Sequence, residues 1–595
     1  MLEVRPEYYL SPRIINYVAT IAAKDDVGVS LDKDSTEELG RDQALVRLQV
    51  AKANLADTIK RCAQGAVVLY TMLGVRATPS RKFLERIQPD LGDPDDWSFL
   101  RRPAVLGLVA IIAICVGATL PSSPFKLEMP GTWFFGEPSL SNLNPSSFLL
   151  FGLIAVYGGM LLLLRVWYGL WKVLRERPGV PIKYLSWILV LWILPLLVVA
   201  PLFSRDVFSY AAQGDMMARH INPYAYGPYT LGNGPFVNPV DPLWMNTPAP
   251  YGPLFLMIAG WFTSITGYNA LMTVVLLRLL SVVGVGMIAY CIPKLAQSYG
   301  RDPGPAFTLA VLNPLVLLAL IGGAHNDAIM AGFLVAGITA AKRHHPIAGI
   351  VLCTLAAAIK IPAALGIVYV AWSWTGVDLS FRQRIRPLVT GGIISIAVMG
   401  FLSMISGIGW GWVANLGAPG TVRSWMAPAT GIGMLISGVA HFVGIPVGQG
   451  GVLTVTRVLG LMTAAGVALY LLFHSDRVGS LKALGISMFL FVVLGPVVQP
   501  WYLTWGVILL APIAAGKIQK AVITLSIIAP FIGLTGGRTL LDQLLHTDPV
   551  SMVVAVALLI AVLVAPLGRW MSSWYINPEP LISHRALNES RYSPV

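Results

Sequence analysis

The sequence predicts an all-α, polytopic transmembrane helical bundle, and composition carries most of that reading. Of 595 residues, 55% are hydrophobic and only 12% charged, whereas soluble domains carry roughly a quarter charged residues. The mean hydropathy is +0.69. At roughly 20 apolar residues per span, the apolar runs account for about 14 transmembrane helices. A water-soluble globular enzyme is excluded.

The chain opens on a different composition. Residues 1–102 hold 15 of the 29 acidic and 15 of the 42 basic residues, so this segment is neutral and the net charge of +13 resides in the hydrophobic remainder. There, lysine and arginine mark cytoplasmic loops, and the basic isoelectric point gives no reason to expect a nucleic-acid partner. DQALVRLQVAKANLADTIKRCAQGAVVLYTML reads as one or two amphipathic helices in a cytoplasmic N-terminal segment. No signal peptide is expected, because no short basic-then-apolar stretch with a cleavage site opens the chain. The four cysteines have no CxxC spacing, so neither a disulfide framework nor a thiolate metal site is expected.

From residue 103 the spans follow in order. Runs near 103–120, 148–172 and 184–204 are separated by a cation-poor loop at 121–147 and by one carrying Lys172, Arg175, Arg177 and Lys183. With Arg101 and Arg102 inside, the third span ends outside, and residues 205–268 form a long extracytoplasmic loop. The loops holding Lys294 and Arg301, Lys342 and Arg343, Arg382 to Arg386, Arg477 and Lys482, then Lys517 and Lys520, face the cytoplasm. That assignment makes the run 252–268 interfacial rather than spanning. It also makes two pairs, 346–359 with 361–374 and 483–498 with 502–516, short helices of about 14 to 16 residues that meet at IKIP and VVQPWYLTW. Residues 567–595 are a cytoplasmic tail.

Three polar groups gather on the extracytoplasmic side. The first is SRDVFSYAAQGDMMARHINPYAYGP. On a helix, Tyr210 and Gln213 lie within about 40° of Asp206 and Asp215 lies roughly 180° away, so one carboxylate of the two faces a ligand. A solvated carboxylate paired with Arg205 or Arg219 is the alternative. The loop beyond is dense in Tyr, Trp, Asn, Gly and Pro, which suits a sugar with stacking CH faces and hydroxyls; membrane-interface aromatic belts share that composition. The second group is GGAHNDAIM, with His325, Asn326 and Asp327 where a span emerges. Asp327 is either a ligand residue or a helix cap, and His325 either a ligand residue or a hydrogen-bonded core histidine. The third is Lys360 in AAAIKIPAA, an ammonium in an apolar stretch whose alternative is snorkelling to the interface. Arg423 in the loop GWGWVANLGAPGTVRSWMAP and Gln499, Trp501 and Tyr502 in QPWYLTW complete the set. GIGWGW lacks the context of a dinucleotide fingerprint, and no Walker A string occurs. A transporter is the rival class on these residues, but it places polar groups at the midplane and keeps its loops short.

These stretches resemble the polytopic glycosyltransferases of the GT-C type. SRDVFSYAAQGDMMARHINPYAYGP and GGAHNDAIM are most similar to the actinobacterial polyprenyl-phosphomannose-dependent α-(1→6)-mannopyranosyltransferases of the MptA/MptB type. The resemblance covers roughly residues 103–566 and departs from the simplest GT-C layout in one respect: the acidic loop follows the third span rather than the first. It implies a catalytic domain at 103–566 in the cytoplasmic membrane, with an extracytoplasmic site. There, mannose passes from polyprenyl-phosphate-mannose to a glycolipid mannan acceptor of lipomannan and lipoarabinomannan synthesis. The β-linked donor and α-linked product imply inversion, which needs one general base and no nucleophilic carboxylate. Asp206 is then the base, and Lys360, Arg205, His325 and Arg423 are the candidates to meet the departing phosphate. Tyr210, Gln213, Asn326, Asp327, Gln499, Trp501 and Tyr502 would line the substrates. No metal or other cofactor is expected, since a phosphate monoester leaves and no DxD pair is visible. An arabinofuranosyltransferase or other lipid-phosphate-sugar transferase is the alternative within the class, because composition does not distinguish the sugars.

Overall fold

The computed structural model describes residues 98–120, 123, 125, 127, 145–376, 379–532 and 534. The expected N-terminal helices, nearly all of the 121–147 loop, and the chain from 535 through the expected 567–595 tail lie outside those residues. The chain divides into two compact units, Met1–Arg101 and Arg102–Val595, and nearly all the described residues belong to the second.

Every regular element among the described residues is helical. In chain order, α1 is Ser98–Thr119, α2 Pro145–Glu176, α3 Ile182–Val198, α4 Asp206–Ala218 and α5 Pro253–Ile265. Then come α6 (Ala270–Ser298), α7 (Pro303–Ala310), a π-helical turn at Val316–Gly322 and α8 (Asp327–Lys342). The helices α9 (Pro346–Ala357), α10 (Ala364–Ser373), α11 (Phe381–Ile405) and α12 (Pro428–Phe442) follow. Last are α13 (Gln449–Phe473), α14 (Ser480–Val493), α15 (Pro500–Leu510) and α16 (Gly516–Ile528). Among the described residues, five helices (α1, α2, α6, α11 and α13) are long and apolar enough to cross a membrane, and the π-turn with α8 makes a sixth candidate bent by 117°. The protein is a multi-pass membrane protein. The expected 14 spans compare with these five or six candidates among the described residues, where six further apolar helices are only 10–17 residues long.

The breaks come where proline and polar residues interrupt apolar sequence. Pro362 and Pro500 each open a new helical segment, as proline does at a first turn, so α9 and α10 meet at Lys360, and α14 and α15 meet at Gln499. The run from 253 to 265 forms a single helix of 13 residues, about 20 Å at 1.5 Å per residue, too short for a bilayer core of roughly 30 Å.

Small residues let the central helices approach. A methyl group at Gly284 of α6 would run into the backbone of Ala328 at the start of α8, and one at Gly252 into the backbone of Ala358. At the second junction the amides of Gly252 and Leu254 donate to the carbonyls of Ile359 (3.0 Å) and Ala358 (3.1 Å). The start of α5 thus satisfies carbonyls that the break at Lys360 leaves open, as backbone buried away from water requires.

Two contacts join loops that the charge pattern assigns to one side. The Gly179 amide donates to Asp302 Oδ2 at 2.7 Å, and Arg384 forms an ion pair with Asp476. Arg278, in the first third of α6, is buried. It donates to the carbonyls of Leu197 and Val199 at the end of α3 and of Gly322 in the π-turn.

Candidate active site

Asp206 is the first residue of α4 and stands just beyond the end of α3. A carboxylate there is favoured by the free amides of the first turn. Its Oδ1 accepts from the indole Nε1–H of Trp244 at 3.2 Å, and its Oδ2 lies 3.7 Å from His325 Nε2. Trp244 belongs to a single helical turn, Pro242–Met245, which Asp241 caps by accepting from the Leu243 amide at 2.9 Å. The long loop between α4 and α5 therefore folds back to place a donor on Asp206.

His325 sits in the bend between the π-turn and α8. Its Nδ1 is 2.6 Å from the carbonyl of Ala319. A carbonyl only accepts, so Nδ1 carries the proton and, in the neutral ring, Nε2 is the acceptor for the Ser204 hydroxyl at 3.1 Å. Ser204 Oγ in turn accepts from the Asp206 amide at 3.2 Å. The ring stacks on Trp501, centroids 3.8 Å apart and planes 18° apart, and Ser281 of α6 donates to the His325 carbonyl. Phe203 (φ 62°) and Ala324 (φ 55°), both in the left-handed region, immediately precede the two residues so joined. Such conformations in residues other than glycine are costly and cluster at functional sites.

Asp327 does not cap α8. Its buried carboxylate accepts from Lys360 Nζ at 3.0 and 2.8 Å and from the indole of Trp505 at 2.7 Å. The ammonium also lies 4.4 Å from the ring of Tyr502 and 5.8 Å from that of Tyr251. Lys360 does not snorkel: it is 9% exposed and held in an ion pair.

Burial pushes the Asp206 carboxyl up to about 7. The positive charge of Lys360 acts against this, but the negative charge of Asp327 works with it. The negative charge of Asp241 adds to the rise and the Trp244 hydrogen bond opposes it, but loss of hydration is the largest effect. Asp215, on the opposite face of α4, pairs with Arg219 at 2.9 Å. Asp206 is the acid that α4 offers to this cluster.

Tyr210 is buried with its ring edge-on to Tyr251 and Phe255, at 5.2 Å in each case. Several buried polar atoms here have no hydrogen-bonding partner: Gln213 Oε1, Ser209 Oγ, both amide atoms of Asn326 and the indole nitrogen of Trp501. Unsatisfied groups of this kind are costly unless a ligand meets them. Gln499 precedes α15, and its carbonyl accepts from the amides of Tyr502 and Leu503. Arg205 donates to the Pro239 carbonyl at 3.0 Å and so anchors the loop that carries Trp244. Arg423 binds Gln449 at 3.0 Å in an exposed position beside α13, and its hydrogen bond is not to this cluster. A narrow cleft of about 20 Å³, lined by Leu202, Phe203, Leu315 and Leu318, ends at Ser204, His325 and Trp501.

Ser204, Trp244, Tyr251 and Trp505 were not singled out from sequence. Trp505 follows Trp501 by four residues on α15, a spacing that puts both on one side of a helix. The aromatic density of the 205–268 loop was the signal for Trp244.

Residues 104–376 match the model of the α-(1→6)-mannopyranosyltransferase family, N-terminal domain, and residues 429–575 match that of the MptB C-terminal domain. A Mycolicibacterium smegmatis protein named "probable alpha-(1->6)-mannopyranosyltransferase" is 33% identical over 520 residues, 81% of this chain and 90% of its own length. Alpha-(1->6)-mannopyranosyltransferase A of Mycobacterium tuberculosis is 33% identical over 70% of this chain and 81% of its own. Alpha-(1->6)-mannopyranosyltransferase B of Corynebacterium glutamicum is 32% identical over 54% of this chain and 57% of its own. No solved structure matches.

Proposed function

The chain belongs to the α-(1→6)-mannopyranosyltransferase family, and from that premise we propose that it transfers mannose from polyprenyl-phosphate-mannose to a glycolipid mannan acceptor. The transfer inverts the anomeric centre and forms α-(1→6) linkages of the lipomannan and lipoarabinomannan type. It takes place at the extracytoplasmic face of the cytoplasmic membrane, within a catalytic domain spanning residues 103–566. Residues 1–102 and 567–595 are cytoplasmic.

The observation that carries this reading is the setting of Asp206, bonded to Trp244, beside His325 and surrounded by aromatic rings and unpartnered polar atoms, where burial pushes its carboxyl up to about 7. A base with a pKa close to the working pH combines the ionised form with a strong drive to take a proton. Asp206 removes the proton from the acceptor 6-hydroxyl as that oxygen attacks the anomeric carbon from the face opposite the phosphate. Trp244 holds Oδ1, leaving Oδ2 for the hydroxyl.

The departing phosphate gains charge as the glycosidic bond breaks, so fixed donors stabilise it. Lys360 spends two contacts on Asp327 and keeps a third N–H, which is directed at the phosphate. His325 and Ser204 stand at the polar end of the apolar cleft and meet the phosphate end of the isoprenoid, whose tail parts the cleft walls. Arg205 and Arg423 act from further out, through the loops they anchor. Tyr210, Gln213, Asn326, Trp501 and Tyr502 line the sugars, and Gln499 closes the same end of α15.

Purified enzyme incubated with polyprenyl-phosphate-mannose and a short α-mannoside should yield an extended product. Linkage analysis should then find α-(1→6) bonds alone. Transfer from a nucleotide sugar instead, or a retained anomeric configuration, would overturn the reading.

A further inference from the structure

A second cleft lies at the opposite end of α3. Asp206 follows α3 and the loop at 177–181 precedes it, so a helix of 17 residues, about 26 Å long, lies between the two. Around that loop the ends of α2, α7, α15 and α16 enclose a cleft of about 290 Å³ lined by Trp171, Arg175, Arg301, Asp302 and Gln519. That is far more than the roughly 10–15 Å³ by this measure that a single water needs, and leaves room for a polar headgroup.

Its charges are unbalanced. Asp302 is the lining acid, and its two oxygens are engaged by the backbone: Oδ1 accepts from the Gly304 amide at 2.9 Å and Oδ2 from the Gly179 amide at 2.7 Å. Neither guanidinium has a carboxylate partner among the described residues. Arg175 rests on the Trp171 ring at 5.0 Å, which holds it in place without neutralising it. Lys517 and Lys520 flank Gln519 in sequence and add to the positive field. Two unpaired guanidiniums facing one cleft match a phosphate, whose oxygens accept from the planar fork of arginine.

The cations also fix the depth. Arg175 lies in the last turn of a helix long enough to span, where the polar headgroups of a bilayer begin. We propose that this cleft binds the phosphate diester of an anionic membrane lipid at the cytoplasmic surface, between Arg175 and Arg301, with the Gln519 amide as a further hydrogen-bonding group. Basic recesses between spanning helices recognise anionic headgroups in this manner.

The test uses the purified full chain in neutral detergent, with thermal unfolding followed against added short-chain phosphatidylglycerol, short-chain phosphatidylcholine and inorganic phosphate. Phosphatidylglycerol should raise the midpoint saturably. Arg175→Gln and Arg301→Gln should each weaken its apparent affinity roughly five-fold, and the double variant about thirty-fold. Should the double variant not fold, Arg175→Lys with Arg301→Lys keeps the charge, and its apparent affinity should fall between those of the native chain and the single glutamine variants. Equal stabilisation by phosphatidylcholine, or an affinity for phosphatidylglycerol unchanged by the substitutions, would overturn the proposal. Inorganic phosphate matching phosphatidylglycerol at equal concentration would keep the anion site but overturn its assignment to a lipid.

Discussion

Lys360 Nζ contacts both carboxylate oxygens of Asp327, at 3.0 and 2.8 Å, across a gap of 33 residues in the chain. The pair ties the break between α9 and α10 to the start of α8. Removing one member leaves an uncompensated buried charge, whereas removing both leaves none. Lys360→Met and Asp327→Leu should each destabilise the protein by about 3–5 kcal/mol, and the double variant by less than the sum of the two. If the third N–H of Lys360 meets the donor phosphate as proposed, the double variant should still lose mannosyl transfer. Thermal unfolding and a transfer assay separate the two effects, and full activity in the double variant would remove Lys360 from the site.

Asp206→Asn keeps an oxygen for the Trp244 indole but cannot take a proton. Mannosyl transfer should fall by about two to four orders of magnitude, with insertion and unfolding temperature unchanged. Near-native turnover would refute the assignment of the base.

The raised affinity of Asp206 for its proton sets a pH dependence. With Asp206 as the proposed base the working form is the carboxylate, so kcat/KM should climb about tenfold per pH unit below 7 and level off above it, with the inflection near the value of about 7 towards which burial pushes the carboxyl. Residual activity of Asp206→Asn should lack this limb. A profile that is flat between pH 5 and 8 in the native enzyme would mean that another group takes the proton.

The indole of Trp244 favours the ionised form of Asp206. Trp244→Phe keeps an aromatic ring and deletes that hydrogen bond, so the acidic limb should move to higher pH and the rate at pH 7 should fall by roughly seven- to eighty-fold, given about 1.5–3 kcal/mol for a bond to a charged group. An unmoved limb would show that the indole does not act on the carboxylate.

Gly252→Ala tests the seam between α5 and the Lys360 break. The added methyl meets the Ala358 backbone, which a side-chain rotation cannot relieve, so a cost of about 1–3 kcal/mol is expected from the displacement. The donor KM should rise with it, because Lys360 moves with that backbone. Unchanged stability and KM would mean that the junction is loose.

Much of this arrangement was legible from local sequence. Proline and a lone lysine in AAAIKIPAA marked the α9–α10 break, and helical periodicity put Asp206, Tyr210 and Gln213 together and Asp215 apart. The partner of Lys360 was not legible, because Asp327 lies on another helix and the same position serves equally well as a cap in sequence terms. Which indole reaches Asp206 was also hidden, since it depends on how a proline-rich loop folds back, and no periodicity governs that. The Arg423 loop shows the same limit: its aromatic residues suggest a site, while its guanidinium reaches across to Gln449.

Arg278 clasps the two stretches that lead to Asp206 and to His325. One flat guanidinium grips the chain nine and seven residues ahead of Asp206, at Leu197 and Val199, and the turn three residues ahead of His325, at Gly322, so a single group ties the approach to the acid to the approach to the imidazole. Turnover should therefore fail on warming before the helices themselves melt, at the temperature where that one clasp lets go.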